Sequence, residues 1–215
     1  MTRPEVTVID YGAGNLLSVQ RALEYCGANV TVTGDSGLIL AAKRVVLPGV
    51  GAFDNAMQAL EQLSLVTVIR EIAKQQIPLL GICLGMQLLL DESDEFGTTK
   101  GLGLIPGRVV RVPAETMTGE PHKIPHIGWS ALQTSNVLSS WSETLLHDNT
   151  PGDAAYFVHS FMAVPAEPMH RIADCVYGGH RIPATIGINN ITGCQFHPEK
   201  SGEIGLRILR RFIYQ

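Results

Sequence analysis

Two hydrophobic rhythms alternate along the first 90 residues. Val6-Thr7-Val8-Ile9 is a short apolar run that predicts a strand, and the glycine-rich Asp10-Tyr11-Gly12-Ala13-Gly14-Asn15 after it predicts a turn. From Leu16 the apolar positions Leu16, Val19, Leu23 and Cys26 recur at three- and four-residue steps. A helix is therefore expected, with Gly27 where a C-terminal cap belongs. Residues 29–33 and 44–47 read as the next two strands, and Asp54 is placed to cap a helical stretch running with interruptions to about Gln75. Pro78-Leu79-Leu80-Gly81-Ile82 is a near-continuous apolar run, the mark of a strand buried on both faces, and a helical segment follows over 84–90. This alternation predicts an α/β fold: an open, largely parallel twisted sheet flanked by helices.

After Asp91 the pattern shortens. Runs at 108–112, 154–158, 172–176, 184–188 and 191–196 are separated by Gly, Pro and Asn turns, so the second half is expected to be strand-rich. Ser201 opens a last helix with Ile204, Ile208, Leu209 and Phe212 on one face. No repeat, low-complexity tract or linker interrupts 1–215, which reads as one domain.

Composition narrows the function. With 45% hydrophobic and 17% charged residues the chain has the material for a sizeable core. A net charge of −4 without a run of Lys or Arg argues against nucleic-acid and polybasic membrane partners. No stretch approaches the roughly 20 apolar residues of a membrane span, and a cytosolic location is expected. Cys26, Cys83, Cys175 and Cys194 lie far apart, with neither zinc-site spacing nor the density of a disulfide scaffold. No metal or cofactor is implied.

Cys83 has a more specific setting. Gly81-Ile82-Cys83-Leu84-Gly85 has the form of a nucleophile elbow with Cys in place of Ser, between a strand and a helix, as that motif requires. The flanking glycines relieve crowding at a strained turn, and the N–H groups of the following helix favour a thiolate. A small buried Cys at a strand end is the plain alternative. Gln195-Phe196-His197-Pro198-Glu199 ends another strand. Because Pro198 disfavours the helical region for His197, His197 and Glu199 are expected to be extended and to project to one side, giving a base with its orienting carboxylate. Pro48-Gly49-Val50-Gly51 follows the strand at 44–47. In an open parallel sheet it meets Cys83 at the same edge, where its N–H groups could face an oxyanion.

Together these segments resemble the triad-type (class I) glutamine amidotransferases over nearly the whole chain. The resemblance implies hydrolysis of glutamine through a γ-glutamyl thioester, with ammonia released for a synthase partner. It implies Cys83, His197 and Glu199 as the triad, the N–H groups of Val50 and Leu84 as the oxyanion hole, and Gly51, Gln87 and Ser160 as substrate contacts. Finer segments are similar to the glutaminase subunits of imidazole glycerol phosphate synthase. They are the loop 10–15, with Ala13 where Pro is usual, Lys123-Ile124-Pro125-His126-Ile127-Gly128-Trp129, Tyr156-Phe157-Val158-His159-Ser160, and Gln195 to Ser201. That similarity implies a (β/α)8-barrel cyclase partner, with Asn15, Tyr156 and Lys200 at or near the shared face. Of the other histidines, His122, His126, His159 and His180 are expected to be structural and His147 and His170 to lie in loops, and Trp129 and Trp141 are expected to serve packing. Three alternatives stay open: the glutaminase subunit of another synthase such as pyridoxal phosphate synthase, a stand-alone Cys hydrolase, or a non-catalytic α/β binding module.

Overall fold

The computed structural model describes residues 2–215. The first half runs β1 (Glu5–Ile9), α1 (Leu16–Tyr25), β2 (Asn29–Thr33), α2 (Ser36–Leu40), β3 (Val45–Gly49), α3 (Phe53–Gln62), α4 (Leu65–Lys74), β4 (Leu79–Cys83) and α5 (Leu84–Leu88). The second half runs β5 (Glu92–Ser93), β6 (Thr99–Lys100), β7 (Gly107–Arg111), β8 (His126–Ala131), β9 (Gln133–Thr134), β10 (Ala154–His159), β11 (Phe161–Pro165), β12 (Arg171–Tyr177), β13 (His180–Ile188), β14 (Ile191–Cys194) and α6 (Gly202–Tyr214).

Among these residues an eight-stranded sheet has the order β2-β1-β3-β4-β14-β13-β12-β9. From β2 to β14 neighbouring strands are parallel, and β13, β12 and β9 continue the sheet antiparallel. A four-stranded sheet, β11-β7-β5-β6, and the β8–β10 ribbon complete the second half. The expected α/β sheet and the strand-rich second half are both present.

Side chains alternate across the central strands, so apolar residues leave both faces of the sheet. Val8, Val46, Leu80 and Ile82 join α1 and α6 in one core, while Ile9, Leu47 and Leu79 join α3, α4 and α5 in the other. The last helix buries Ile208, Leu209 and Phe212 as its periodicity predicts, and Ile204 remains half-buried. No helix among the described residues is long and apolar enough to cross a membrane.

Two local expectations are corrected, the expected interruption after Asp54 is located at Ser64, and one helix is new. Asp54 does not cap α3: Ala52 is the N-cap residue, and the Phe53 N–H donates to Glu95 Oε2 at 2.8 Å from the second half of the chain. The helical stretch breaks at Ser64, whose φ of 58° lies outside the helical region. Helix α5 stops at Leu88 because incoming amides take its last carbonyls, Leu102 N–H bonding Leu88 O at 2.9 Å and Leu104 N–H bonding Leu89 O at 2.8 Å. Helix α2 was not expected. It is capped by Asp35, which accepts from the Leu38 N–H at 2.8 Å.

The packing of α5 on β3 fixes the position of the site. A Cβ added at Gly85 would lie 1.8 Å from the Leu47 carbonyl oxygen, so backbone meets backbone there. Gly85→Ala is therefore expected to destabilise the fold by about 3 kcal/mol or more, the upper range for overpacking, in urea unfolding. A variant within about 0.5 kcal/mol of the parent, the usual scatter of surface changes, would contradict this close approach.

Candidate active site

Three adjacent strands deliver the candidate groups to one edge of the sheet. β3, β4 and β14 are parallel neighbours, with Gly49 paired to Cys83 and Cys194 paired to Ile82. The segments that follow them, Val50-Gly51, Leu84-Gly85 and Gln195 to Lys200, therefore emerge side by side. They line a cavity of about 340 Å³ with Cys83, Gln87, Ser160, Phe161 and His197 on its walls, a volume suited to a small metabolite. Among the four free, buried cysteines Cys83 is the one in this cavity.

Cys83 has φ 55° and ψ −111°, a conformation that costs a non-glycine residue of the order of 1–3 kcal/mol. Such strain is expected of an elbow that lifts one side chain out of the strand. The sulfur approaches two groups. It donates toward the Val158 carbonyl at 3.9 Å, and the Gln195 side-chain amide donates to it at 3.8 Å.

His197 Nδ1 bonds Glu199 Oε1 at 2.7 Å, with both side chains almost wholly buried. The extended i, i+2 geometry expected for this pair is corrected. His197 is extended, but Pro198 begins a 3-10 turn through Lys200, closed by the Lys200 N–H on His197 O at 3.0 Å, and that turn carries the Glu199 carboxylate back to the imidazole. Ser201 has no side-chain bond to the helix it precedes. Its hydroxyl instead donates to His197 O at 2.7 Å and accepts from the Tyr156 N–H at 3.0 Å, which ties the base to β10.

Burial opposes charging the His197 imidazole, but its interactions with Cys83 and Glu199 outweigh it and push the ring up to about 9. The Cys83 sulfur is the first of the groups that raise it and Glu199 the second, although no sulfur–ring hydrogen bond of ordinary geometry is formed among the described residues. Apo sites often hold such pairs loosely. Tyr11 donates to the Pro48 carbonyl at 2.8 Å, and burial, with the Cys83 charge adding, raises its phenol. It steadies the strand end that leads to Val50.

The other expected residues take different places. Gln87 and Ser160 line the cavity beside Gly51, and Leu84, at the first position of α5, has an N–H with no intrahelical acceptor. Lys200 is exposed at the cavity mouth. Tyr156 is half-buried on β10, and Asn15 is the N-cap residue of α1 without a side-chain capping bond. Trp141 packs in the core, as expected, and its indole donates to Ile172 O at 3.1 Å. Trp129 does not: its ring is 58% exposed and meets Tyr156 edge-on at 6.0 Å. His126 and His159 are buried and bonded to each other at 3.0 Å, and burial is the first cause holding both down at about 4. Tyr11 and the Gln195 side chain were missed. A Tyr in a glycine-rich loop and a Gln at a strand end carry no sequence signal of their contacts.

Comparisons with known proteins agree with this geometry. Residues 7–215 match the family "Glutamine amidotransferase class-I". The chain is 49% identical to the imidazole glycerol phosphate synthase subunit HisH 1 of Legionella pneumophila (strain Lens), over 97% of this chain and 98% of the relative. It is 47% identical to subunit HisH of Geobacillus thermodenitrificans (strain NG80-2), over 97% of this chain and 94% of that one. Among solved structures, PurLQS from Thermotoga maritima superposes with a TM-score of 0.72 at 19% identity, covering 98% of both chains, which speaks to the fold alone. The chain belongs to the class-I glutamine amidotransferases and, within them, to the HisH subunits of imidazole glycerol phosphate synthase.

Proposed function

We propose that the chain hydrolyses glutamine at Cys83 and passes the ammonia to a (β/α)8-barrel cyclase subunit, which forms imidazole glycerol phosphate and AICAR in histidine biosynthesis. The observation that carries this reading is the strained Cys83 elbow beside the buried His197–Glu199 pair, at the ends of neighbouring parallel strands. The Cys83 thiolate attacks the glutamine side-chain carbonyl, and the oxyanion is held by the N–H groups of Val50 and Leu84. Gly51, Gln87 and Ser160 hold the substrate. The His197 imidazolium gives its proton to the departing nitrogen, so ammonia leaves and a thioester remains. Neutral His197 then takes a proton from water, the hydroxide adds to the thioester, and collapse returns glutamate and the thiolate. Glu199 holds Nδ1 throughout, leaving Nε2 for this traffic.

In this reading the cyclase docks on the face that carries Trp129, Tyr156 and Lys200, with Asn15 nearby. Exposed aromatic and aliphatic residues grouped this way mark interaction surfaces, and Ile127 stands exposed on the same strand as Trp129. The barrel partner and the location in the cytoplasm complete the reading.

Two measurements test it. A Cys83→Ala subunit mixed with the cyclase is expected to bind it and to support synthesis from ammonium salt at alkaline pH, but not from glutamine. Glutamine-dependent synthesis by that variant would remove Cys83 from the mechanism, and activity with the substrates of pyridoxal phosphate synthesis would point to the other pathway. The second follows the imidazole by ¹⁵N NMR. His197 should titrate near 9 in the parent, and in Glu199→Gln it should fall toward the ordinary 6.5, with kcat dropping more than KM rises. Because the folded value is raised, the stabilisation from charged His197 is present in full below pH 6.5 and is lost as pH climbs through about 9. An unchanged His197 midpoint in Glu199→Gln would take Glu199 out of its orienting role.

A further inference from the structure

The Gln195 side chain is wholly buried at the end of β14, two residues before the base, and it touches the Cys83 sulfur. An amide can present either its oxygen or its nitrogen to a neighbour, so the direction of this contact has to be established. A backbone group settles it. The Phe161 carbonyl can only accept, and it accepts from Gln87 Nε2 at 2.9 Å, which fixes the Gln87 amide. The second hydrogen of Gln87 Nε2 points at Gln195 at 3.0 Å, so that atom of Gln195 must be its oxygen, Oε1. Gln195 Nε2 is thereby turned to the sulfur as a donor.

The same carbonyl fixes the groups on its other side. His159 Nδ1 donates to Phe161 O at 2.8 Å, so His159 Nε2 accepts from His126 Nδ1 at 3.0 Å, and His126 Nε2 accepts from the Ser130 hydroxyl at 2.9 Å. Every member of the chain from Ser130 to Cys83 then has one permitted polarity, and a reversal at any point would set two donors or two acceptors face to face.

We propose that Gln195 is a positioning and thiolate-stabilising residue of the glutaminase site, held by Gln87 so that its amide N–H is aimed at the nucleophilic sulfur. An N–H donor to a charged acceptor stabilises the charged form more than the neutral one. The contact thus favours thiolate before glutamine arrives, and also favours sulfur as leaving group when the thioester is hydrolysed. The inference rests on Cys83 being the nucleophile. Because Gln87 also lines the cavity, one amide pair connects the substrate wall to the sulfur.

Gln195→Met keeps length and burial but removes the donor. Alkylation of Cys83 by iodoacetamide, followed by peptide mass spectrometry on the intact subunit, is expected to slow about tenfold at pH 7 through the loss of one charge-assisted donor to the sulfur. At pH 10 the difference from the parent should largely disappear, because alkali supplies thiolate without the donor. A slowing that is equal at both pH values would signal lost access or packing and would overturn the proposal, as would no slowing at all. Should this variant fail to fold, the unmodified protein supplies the answer. The Gln195 side-chain ¹⁵N–¹H resonances should move with pH in the parent and stop moving in Cys83→Ala, and pH-invariant resonances in the parent would refute the contact. Failure of the underlying reading looks different, since Cys83→Ala would then retain glutaminase activity.

Discussion

The contact on which the site depends is the approach of the Gly85 backbone to the Leu47 carbonyl, where no side-chain atom fits between helix α5 and strand β3. Helix α5 follows β4 without a loop, so it can lie against the sheet only if the chain reverses sharply at Cys83. The unfavourable φ of Cys83 is the consequence. It is sustained because Leu84, Met86 and Leu88 are buried immediately after it, and burying one such side chain contributes about 1.5–3 kcal/mol, enough to offset the strain. Tyr11 adds a bond to the Pro48 carbonyl. Cys83, α5 and the end of β3 are therefore one closely packed piece made mostly of backbone.

Around that piece the protein buries many polar side chains, and it does so by giving each of them one direction. Gln87, Gln195, His126 and His159 are matched donor to acceptor, with the Phe161 carbonyl as the common terminus. Such a network rigidifies only when every member is satisfied. Glu199 stands outside this network, with Oε1 bonded to His197 and Oε2 buried without a partner. An under-bonded carboxylate keeps more of its charge for the imidazole, in accord with the upward shift of His197.

What the sequence revealed depended on whether a feature was periodic or local. The central strands and helices α1 and α6 were legible because their apolar spacing is strong, and the elbow was legible because its glycines record a steric demand made within five residues. The cap of α3 was misread because its acceptor, Glu95, lies 42 residues away. The contact of Gln195 with Cys83 spans 112 residues and leaves no pattern near either one. Trp129 was expected in the core because aromatic residues usually lie there, but exposure alternates along β8 and Trp129 falls on the exposed face with Ile127 and Ala131.

Strand β10 ties Cys83 and His197 to a common reference. Its Val158 carbonyl faces the Cys83 sulfur, and its Tyr156 carbonyl accepts the His197 N–H at 3.0 Å. Ser201 adds a second link between Tyr156 and His197. A displacement of β10, whose Tyr156 meets the exposed Trp129, would carry thiol acceptor and imidazole backbone together and leave their mutual geometry largely unchanged. The Val50-Gly51 segment is outside this set. Gly51 has φ 102°, and a Cβ built there meets nothing within 4 Å, so the segment sits in open space. Val50, 45% exposed beside Gly51 on the cavity wall, is likewise outside the tight packing of Gly85 on β3.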